Sequence, residues 1–201
     1  VRDVFFLTSG TFVAPALALG PRRLVDPRKT VTMSNTIAVA VRDSGDVVLV
    51  DVGWSREACA DPAAHLGKAY ATSLGVRAKA DDAIADQLAA LGVDPARVTA
   101  IVATHLHLDH IGGACDFPNA EIVVTDRELR AFRGATLRDL GYRAADLERS
   151  GRLRTVLLSA APTYGFPSSF DLYGDGEIVL CDARGHTQGL AAVALRARDA
   201  C

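Results

Sequence analysis

The sequence predicts a layered α/β domain. Short runs of β-branched and aliphatic residues recur along the chain, and segments with apolar residues at helical spacing lie between them. With 201 residues and 49% hydrophobic content, the chain can build one substantial core without internal repeats or a low-complexity linker. Helices interspersed with hairpins imply α and β structure stacked in layers.

The elements follow in order. Val4-Phe5-Phe6-Leu7 and a later Ala-rich run ending Ala18-Leu19-Gly20 have the outline of a signal peptide, but Arg2-Asp3 is a poor basic start. Thr8-Ser9-Gly10-Thr11 also breaks the apolar run, so an opening strand and turn are expected. Asn35 to Val41, the turn Asp43-Ser44-Gly45-Asp46 and Val47 to Val52 form a β-hairpin pattern. Asp81 to Leu91 is predicted helical, with Ile84, Leu88 and Leu91 on one face, early aspartates at the positive end and Gly92 as the C-terminal cap. Val98 to Thr104 is a buried strand, and Glu121 to Thr125 is another. Asp126 to Phe132 and Ala135 to Glu148 are predicted helices, and Leu153 to Leu158 a strand. Leu172-Tyr173-Gly174-Asp175-Gly176-Glu177 turns tightly into the strand Ile178 to Cys181, and Leu190 to Leu195 supplies one more.

Charge and composition narrow the function classes. A formal net charge of −2 gives no overall pull toward phosphate backbones, so no nucleic-acid partner is expected. The arginines between Arg127 and Arg154 alternate with Asp126, Glu128, Asp139, Asp146 and Glu148, a pattern of solvated helix faces. Cys59, Cys115, Cys181 and Cys201 lack Cys-x-x-Cys spacing, which predicts free thiols in a reducing, cytoplasmic setting. No segment approaches membrane-spanning length, so no membrane partner is expected, and oligomeric state is not legible.

The chemistry concentrates in His105-Leu106-His107-Leu108-Asp109-His110, directly after the Val98 to Thr104 strand. If the backbone stays extended, the period of two puts His105 and His107 on one face, where both imidazoles can share a cation. Asp109 and His110 are adjacent, so their side chains are expected to diverge and reach a second cation. Gly112-Gly113 lets the backbone turn. Catalytic zinc takes imidazole and carboxylate ligands and keeps one position for water.

His-x-His-x-Asp-His, preceded by Val-Ala-Thr and followed by Ile-Gly-Gly, resembles the metallo-β-lactamase superfamily. Val47-Val48-Leu49-Val50-Asp51-Val52-Gly53 resembles the strand and Asp-x-Gly turn before that family's metal loop, and Gly185-His186-Thr187-Gln188-Gly189 its Gly-His-Thr-x-Gly segment. The resemblance implies a four-layer αββα sandwich with metals at one edge. It implies that His105, His107 and His186 hold one Zn2+, that Asp109 and His110 help hold a second, and that Asp109 is the catalytic residue. It further implies a zinc-bound hydroxide attacking a small ester, lactone or thioester, as in lactonase-like and glyoxalase II-like members. An iron-dependent oxidoreductase on the same scaffold and a catalytically silent metal-binding domain are the alternatives.

Asp51 either orients a ligand or is a plain turn aspartate, and Thr187 either caps local backbone or supports His186. Trp54, Tyr164, Phe166 and Phe170 either line a substrate pocket or pack in the core, and His65 is a surface or substrate-side residue. In the family a bridging aspartate and a final histidine come well after Gly-His-Thr. Here Asp199 is too close behind His186, and no histidine follows. The expectation is therefore one metallo-β-lactamase-type domain over residues 1–201 with its C-terminal portion missing and the second half of the sandwich incomplete. Such a site would hold two zinc ions when whole and one in the chain as given.

Overall fold

The computed structural model describes all residues except 16–25, 27, 137–140, 143–146, 148–151 and 199–201. Six strands form one mixed sheet in the order β1 (Asp3–Pro15), β2 (Thr30–Val41), β3 (Val47–Val50), β4 (Val98–Val102), β5 (Glu121–Thr125) and β6 (Leu153–Val156). The hairpin turn makes β2 and β3 antiparallel, and β3 to β6 then run parallel. A second sheet of three antiparallel strands joins β7 (Ser169–Asp171), β8 (Ile178–Asp182) and β9 (Ala191–Leu195).

Side-chain alternation explains the stacking. Val47, Leu49, Ile101, Ile122 and Val124 face a core shared with Ile84 and Leu88 of helix α4 (Ile84–Ala90) and Leu129 of helix α6 (Asp126–Arg133). Val48, Ala100, Val102 and Val123, on the opposite pleat, face Ile178, Leu180 and Ala191 of the small sheet and Leu172 just after β7. Both faces of the parallel strands are thus covered, which accounts for their near-continuous apolar sequences. Each fully buried Val, Ile or Leu contributes roughly 1.5–3 kcal/mol. The described residues supply a helical layer, a large sheet and a small sheet, and none of their helices follows β7.

Three short helices that periodicity did not announce, α1 (Arg56–Ala60), α2 (Pro62–Leu66) and α3 (Lys68–Ser73), wrap a satellite core around Trp54 and Leu108. Ser55 and Asp61 cap the first two through bonds to the backbone N–H of Ala58 and Ala64. The opening strand is longer than expected because, after a register shift between Thr8 and Thr11, its distal half goes on pairing with Thr30 to Ser34 of β2. Thr11 exchanges backbone bonds with Arg77, and Val13 N–H donates to the Leu74 carbonyl, which fastens the α3 end beside β1.

Other boundaries also move. The predicted strand through Val52 stops at Val50, and the predicted helix from Asp81 splits into a 3-10 turn at Ala80–Asp82 and α4. The predicted helix Ala135 to Glu148 falls largely outside the described residues, but Tyr142 makes a β-bridge with His107. The backbone is therefore bridged at Tyr142, whereas Leu147 is helical. No helix among the described residues is long and apolar enough to cross a membrane.

Candidate metal centre

The C-terminal ends of the parallel strands β3, β4 and β5 deliver the site, as expected for a sheet whose strands all point their ends at one edge. At the end of β3, Asp51 adopts φ 59, a left-handed conformation that aspartate tolerates when its side chain bonds locally. Its buried carboxylate accepts bonds from Thr104 N–H (2.8 Å) and Thr104 Oγ1 (2.8 Å), and pairs with His110 Nδ1 at 2.8 Å. Asp51 is therefore more than a turn residue: it ties β3 to β4 and orients His110.

After β4 the chain stays extended, and Leu106 buries itself in the core while His105 and His107 share the opposite side, their ring centroids 4.6 Å apart. Helix α5 (Leu108–Ile111) then turns His110 back over His105, with centroids 4.0 Å apart. The adjacent Asp109 and His110 do not diverge as expected. Asp109 Oδ2 lies 3.6 Å from His110 Nε2, because the helical turn brings both side chains to the same rim.

His186 arrives from the β8–β9 loop, 79 residues away, with Nε2 only 3.1 Å from His107 Nδ1. One ligand atom from each of His105, His107 and His186 lies within 4.8 Å of the others. His105 Nε2 is buried without a hydrogen-bond partner among the described residues, a polar atom whose burial is unfavourable unless something accepts its lone pair or proton. Burial first, then the neighbouring His110, His107 and His186, push the His105 pKa down to about 2. Burial and His186 lower that of His107 as well. Neutral imidazole is the form that binds metal, so this donor set fits a divalent cation such as zinc. Burial also acts to lower the His110 pKa, but the Asp51 carboxylate, by charge and hydrogen bond, outweighs it and holds His110 at about 9.

The residue that holds the two motifs together is one the sequence placed among solvated helix charges. Glu128 is fully buried on α6. Oε1 accepts bonds from Leu106 N–H (3.0 Å) and Tyr142 Oη (2.9 Å), while Oε2 accepts from Thr187 Oγ1 (2.7 Å) and Gly189 N–H (3.1 Å). Thr187 thus supports its neighbour His186 through Glu128. Gly189 packs so closely on α6 that a Cβ there would lie 2.1 Å from the Glu128 nitrogen. Two further bonds fix the loop: Thr125 Oγ1 donates to the Gly189 carbonyl at 2.8 Å, and Ala191 N–H to the Thr104 carbonyl at 2.9 Å. The only sequence signal for Glu128 was its position three residues after the helix cap Thr125, which marks a first-turn acid but not its burial.

A cavity of about 470 Å³ opens on the histidines and Asp109, walled by Phe12, Ala14, Met33, Trp54, Tyr70 and Leu74. Trp54 both packs in the satellite core and lines this cavity. Tyr164, Phe166 and Phe170 do not line it; Tyr164 is exposed and Phe170 packs against the inter-sheet core. His65 pairs with Glu57 on the surface helices at 3.2 Å. Cys181 is buried in β8 with its thiol toward the Val179 carbonyl, away from the imidazoles.

Residues 30–190 match the model of the metallo-beta-lactamase superfamily. The chain belongs to the metallo-β-lactamase superfamily. Within this superfamily it is 36% identical over 142 residues to N-acyl homoserine lactonase AttM of Azorhizobium caulinodans, a match covering 70% of this chain and 52% of the relative. It is 37% identical over 161 residues to a probable metallo-hydrolase of Mycobacterium tuberculosis, covering 78% and 51%. The chain therefore spans about half the length of these curated relatives. Its fold matches an N-acyl homoserine lactone hydrolase solved with N-hexanoyl-L-homoserine at the catalytic metal centre, with TM-score 0.77, 18% identity and coverage of 98% of this chain and 72% of that one. The dizinc quorum-quenching lactonase AidC matches with TM-score 0.60 and 18% identity, covering 98% and 68%. The fold of that solved hydrolase extends beyond the part this chain matches.

Proposed function

We propose that this chain carries the metal-binding half of a zinc-dependent hydrolase that opens small ester, lactone or thioester substrates with an apolar acyl arm. The observation that carries the proposal is the convergence of His105, His107 and His186, from two distant segments, on one point beside an unpartnered buried nitrogen. When bound there, zinc supplies an activated water and polarises a carbonyl. His105, His107 and His186 would hold it, with Asp109 and His110 as ligands toward a second ion. The chain's own groups do the rest. Glu128 fixes the spacing between the two histidine loops, and Asp51 fixes the His110 ring. Asp109, at the rim of the cavity, is positioned to hold or pass a proton at its Oδ2. The walls formed by Phe12, Met33, Trp54 and Leu74 exclude water around the acyl arm, leaving the carbonyl at the histidine end. The N-acyl homoserine lactonase relatives support a substrate of this class.

The test is zinc titration and turnover of N-acyl homoserine lactones, an aryl ester and a thioester by the same preparation. Zinc-dependent hydrolysis is expected, with kcat/KM rising as the acyl chain lengthens. His107→Ala and His186→Ala should each lower zinc affinity by at least about a hundredfold, beyond the effect of losing an outer support. A preparation that binds zinc at these histidines yet hydrolyses none of the three substrate types would overturn the proposal, and iron retained after anaerobic purification would redirect it to oxidation chemistry.

A further inference from the structure

Three arginines gather around a cavity that adjoins the one reaching the metal centre. Arg127 and Arg130 stand three residues apart on α6 and so share a helix face, while Arg184 comes from the β8–β9 loop two residues before His186. With Ala131, Gly134 and Gln188 they line a cavity of about 670 Å³. Ala131, Gly134, Arg184 and Gln188 also line the neighbouring cavity of about 710 Å³ that reaches His107 and His186. The two form a continuous trough from the arginines to the histidines.

Two of these arginines are tied to one buried carboxylate. Asp182, at the end of β8 with a side chain only 4% exposed, pairs with Arg127 at 3.1 Å and with Arg184 Nε at 2.8 Å. Arg130 pairs with Asp126 one turn earlier on the helix. Two carboxylates pair with the three guanidiniums, and the further carboxylate nearby, Glu128, is buried behind Thr187 with its oxygens already hydrogen-bonded. Asp182 engages only one edge of each guanidinium. Among the described residues, the terminal nitrogens of Arg184 and the Nε of Arg127 have no other hydrogen bond. Guanidinium groups oriented in advance by a buried carboxylate, with donor edges unused, suit a planar or tetrahedral oxyanion and lose little freedom on binding it.

We propose that this trough is an anion subsite: the substrate of the metal centre carries a carboxylate or phosphate group that Arg127, Arg130 and Arg184 hold while its scissile carbonyl lies at the histidines. This rests on the hydrolase function proposed above. Arg184 and His186 are two residues apart, so their Cα atoms are separated by at most about 7 Å. The anionic group is therefore reached from the carbonyl along the lining that the two cavities share, and not through the apolar cavity, which none of the three arginines lines.

The experiment has a binding arm and a turnover arm. Inorganic phosphate and succinate are titrated separately into metal-free protein by calorimetry at low ionic strength, where charge contacts are least screened. Arg130→Gln leaves both Asp182 pairs intact and keeps the fold. It should weaken the preferred anion about tenfold, the loss of one charge-assisted hydrogen bond. Arg154→Gln, on β6 and paired with Glu121, should leave the affinity unchanged. The tighter of the two anions identifies carboxylate or phosphate. In the turnover arm, zinc-loaded protein receives matched esters that differ only in a terminal anion or neutral amide. Wild type should prefer the anionic ester about tenfold in kcat/KM, and Arg130→Gln should remove that preference through KM. Equal turnover of the two esters, or equal anion binding by wild type and Arg130→Gln, overturns the subsite while the hydrolase function stands. An effect confined to inhibition by the carboxylate product also overturns it. Hydrolysis of neither ester, with Arg130-dependent anion binding retained, supports the subsite and sinks the hydrolase function.

Discussion

Replacing Glu128 should loosen both histidine loops at once. Its carboxylate receives four donors, two at each oxygen, and each oxygen takes one backbone N–H: Leu106 at Oε1 and Gly189 at Oε2. Glu128→Gln turns one of these oxygens into an NH2 group. The Thr187 and Tyr142 hydroxyls can rotate to accept from it, but a backbone N–H cannot. Whichever way the amide is placed, one buried N–H faces another donor. An unsatisfied buried donor costs about 1–3 kcal/mol, and losing charge assistance in the remaining bonds adds to this. We expect a loss of about 2–4 kcal/mol for Gln and about 3–5 kcal/mol for Ala, which strips all four donors. Against a typical total of roughly 5–15 kcal/mol, the Ala variant approaches unfolding. Urea unfolding of metal-free protein followed by circular dichroism measures the stability term. Competition with a chromophoric chelator measures zinc affinity, expected to fall about 10–100-fold for Gln. A Gln variant within about 0.5 kcal/mol of wild type and with unchanged zinc affinity would refute the assignment of Glu128 as the tie between the motifs.

Three further outcomes are expected. In metal-free protein, His105 at about 2 lies below its unfolded value, so its contribution is present above about pH 6.5 and is lost as pH falls. His110 at about 9 lies above its unfolded value, so its contribution is present below about pH 6.5 and is lost as pH rises through 9. Stability should peak near pH 6.5 and fall on each side by up to about 1.4 kcal/mol per pH unit, with the alkaline limb absent in His110→Gln; a flat urea midpoint from pH 5 to 9 contradicts the two shifts. Gly189→Ala should drive α6 from the β8–β9 loop, because its Cβ would sit 2.1 Å from a backbone nitrogen, and cost about 2–3 kcal/mol by overpacking in the same unfolding assay. Burial pushes the Cys59 thiol up to about 11, so iodoacetamide should label the half-buried Cys115 well before Cys59 in folded protein, and equal rates by mass spectrometry would contradict that burial.

Much of the fold was legible because strand signals are local. The runs at 47–50, 98–102, 121–125 and 178–182 emerge as strands close to their predicted bounds, and β-branched composition reports burial on both sheet faces. The helices α1 to α3 were not legible, since five- and six-residue helices hold too few turns to show a period and take their stability from caps and from packing on Trp54. The distal half of β1 was hidden for a related reason: it pairs with Thr30 to Ser34 across a register shift and bonds Leu74 and Arg77 on its other edge, contacts that only the tertiary structure sets.

At the site, the close spacing of imidazoles and carboxylate singled out His105, His107, Asp109 and His110, whereas His186 stood out only through the resemblance of Gly185-His186-Thr187 to the metallo-β-lactamase superfamily. Which of them meet was decided by the fold. The helical turn after His107 folded Asp109 and His110 together where adjacency suggested divergence. Glu128, Arg127 and Arg130 looked alike as surface charge in the sequence. Burial separated them: the glutamate has four donors and no solvent, while Arg127 keeps an open edge beside the sunken Asp182 and Arg130 pairs with Asp126 at the surface. Composition along a chain names the groups available for chemistry, but dielectric and distance, which fix what those groups do, exist only once remote segments have packed.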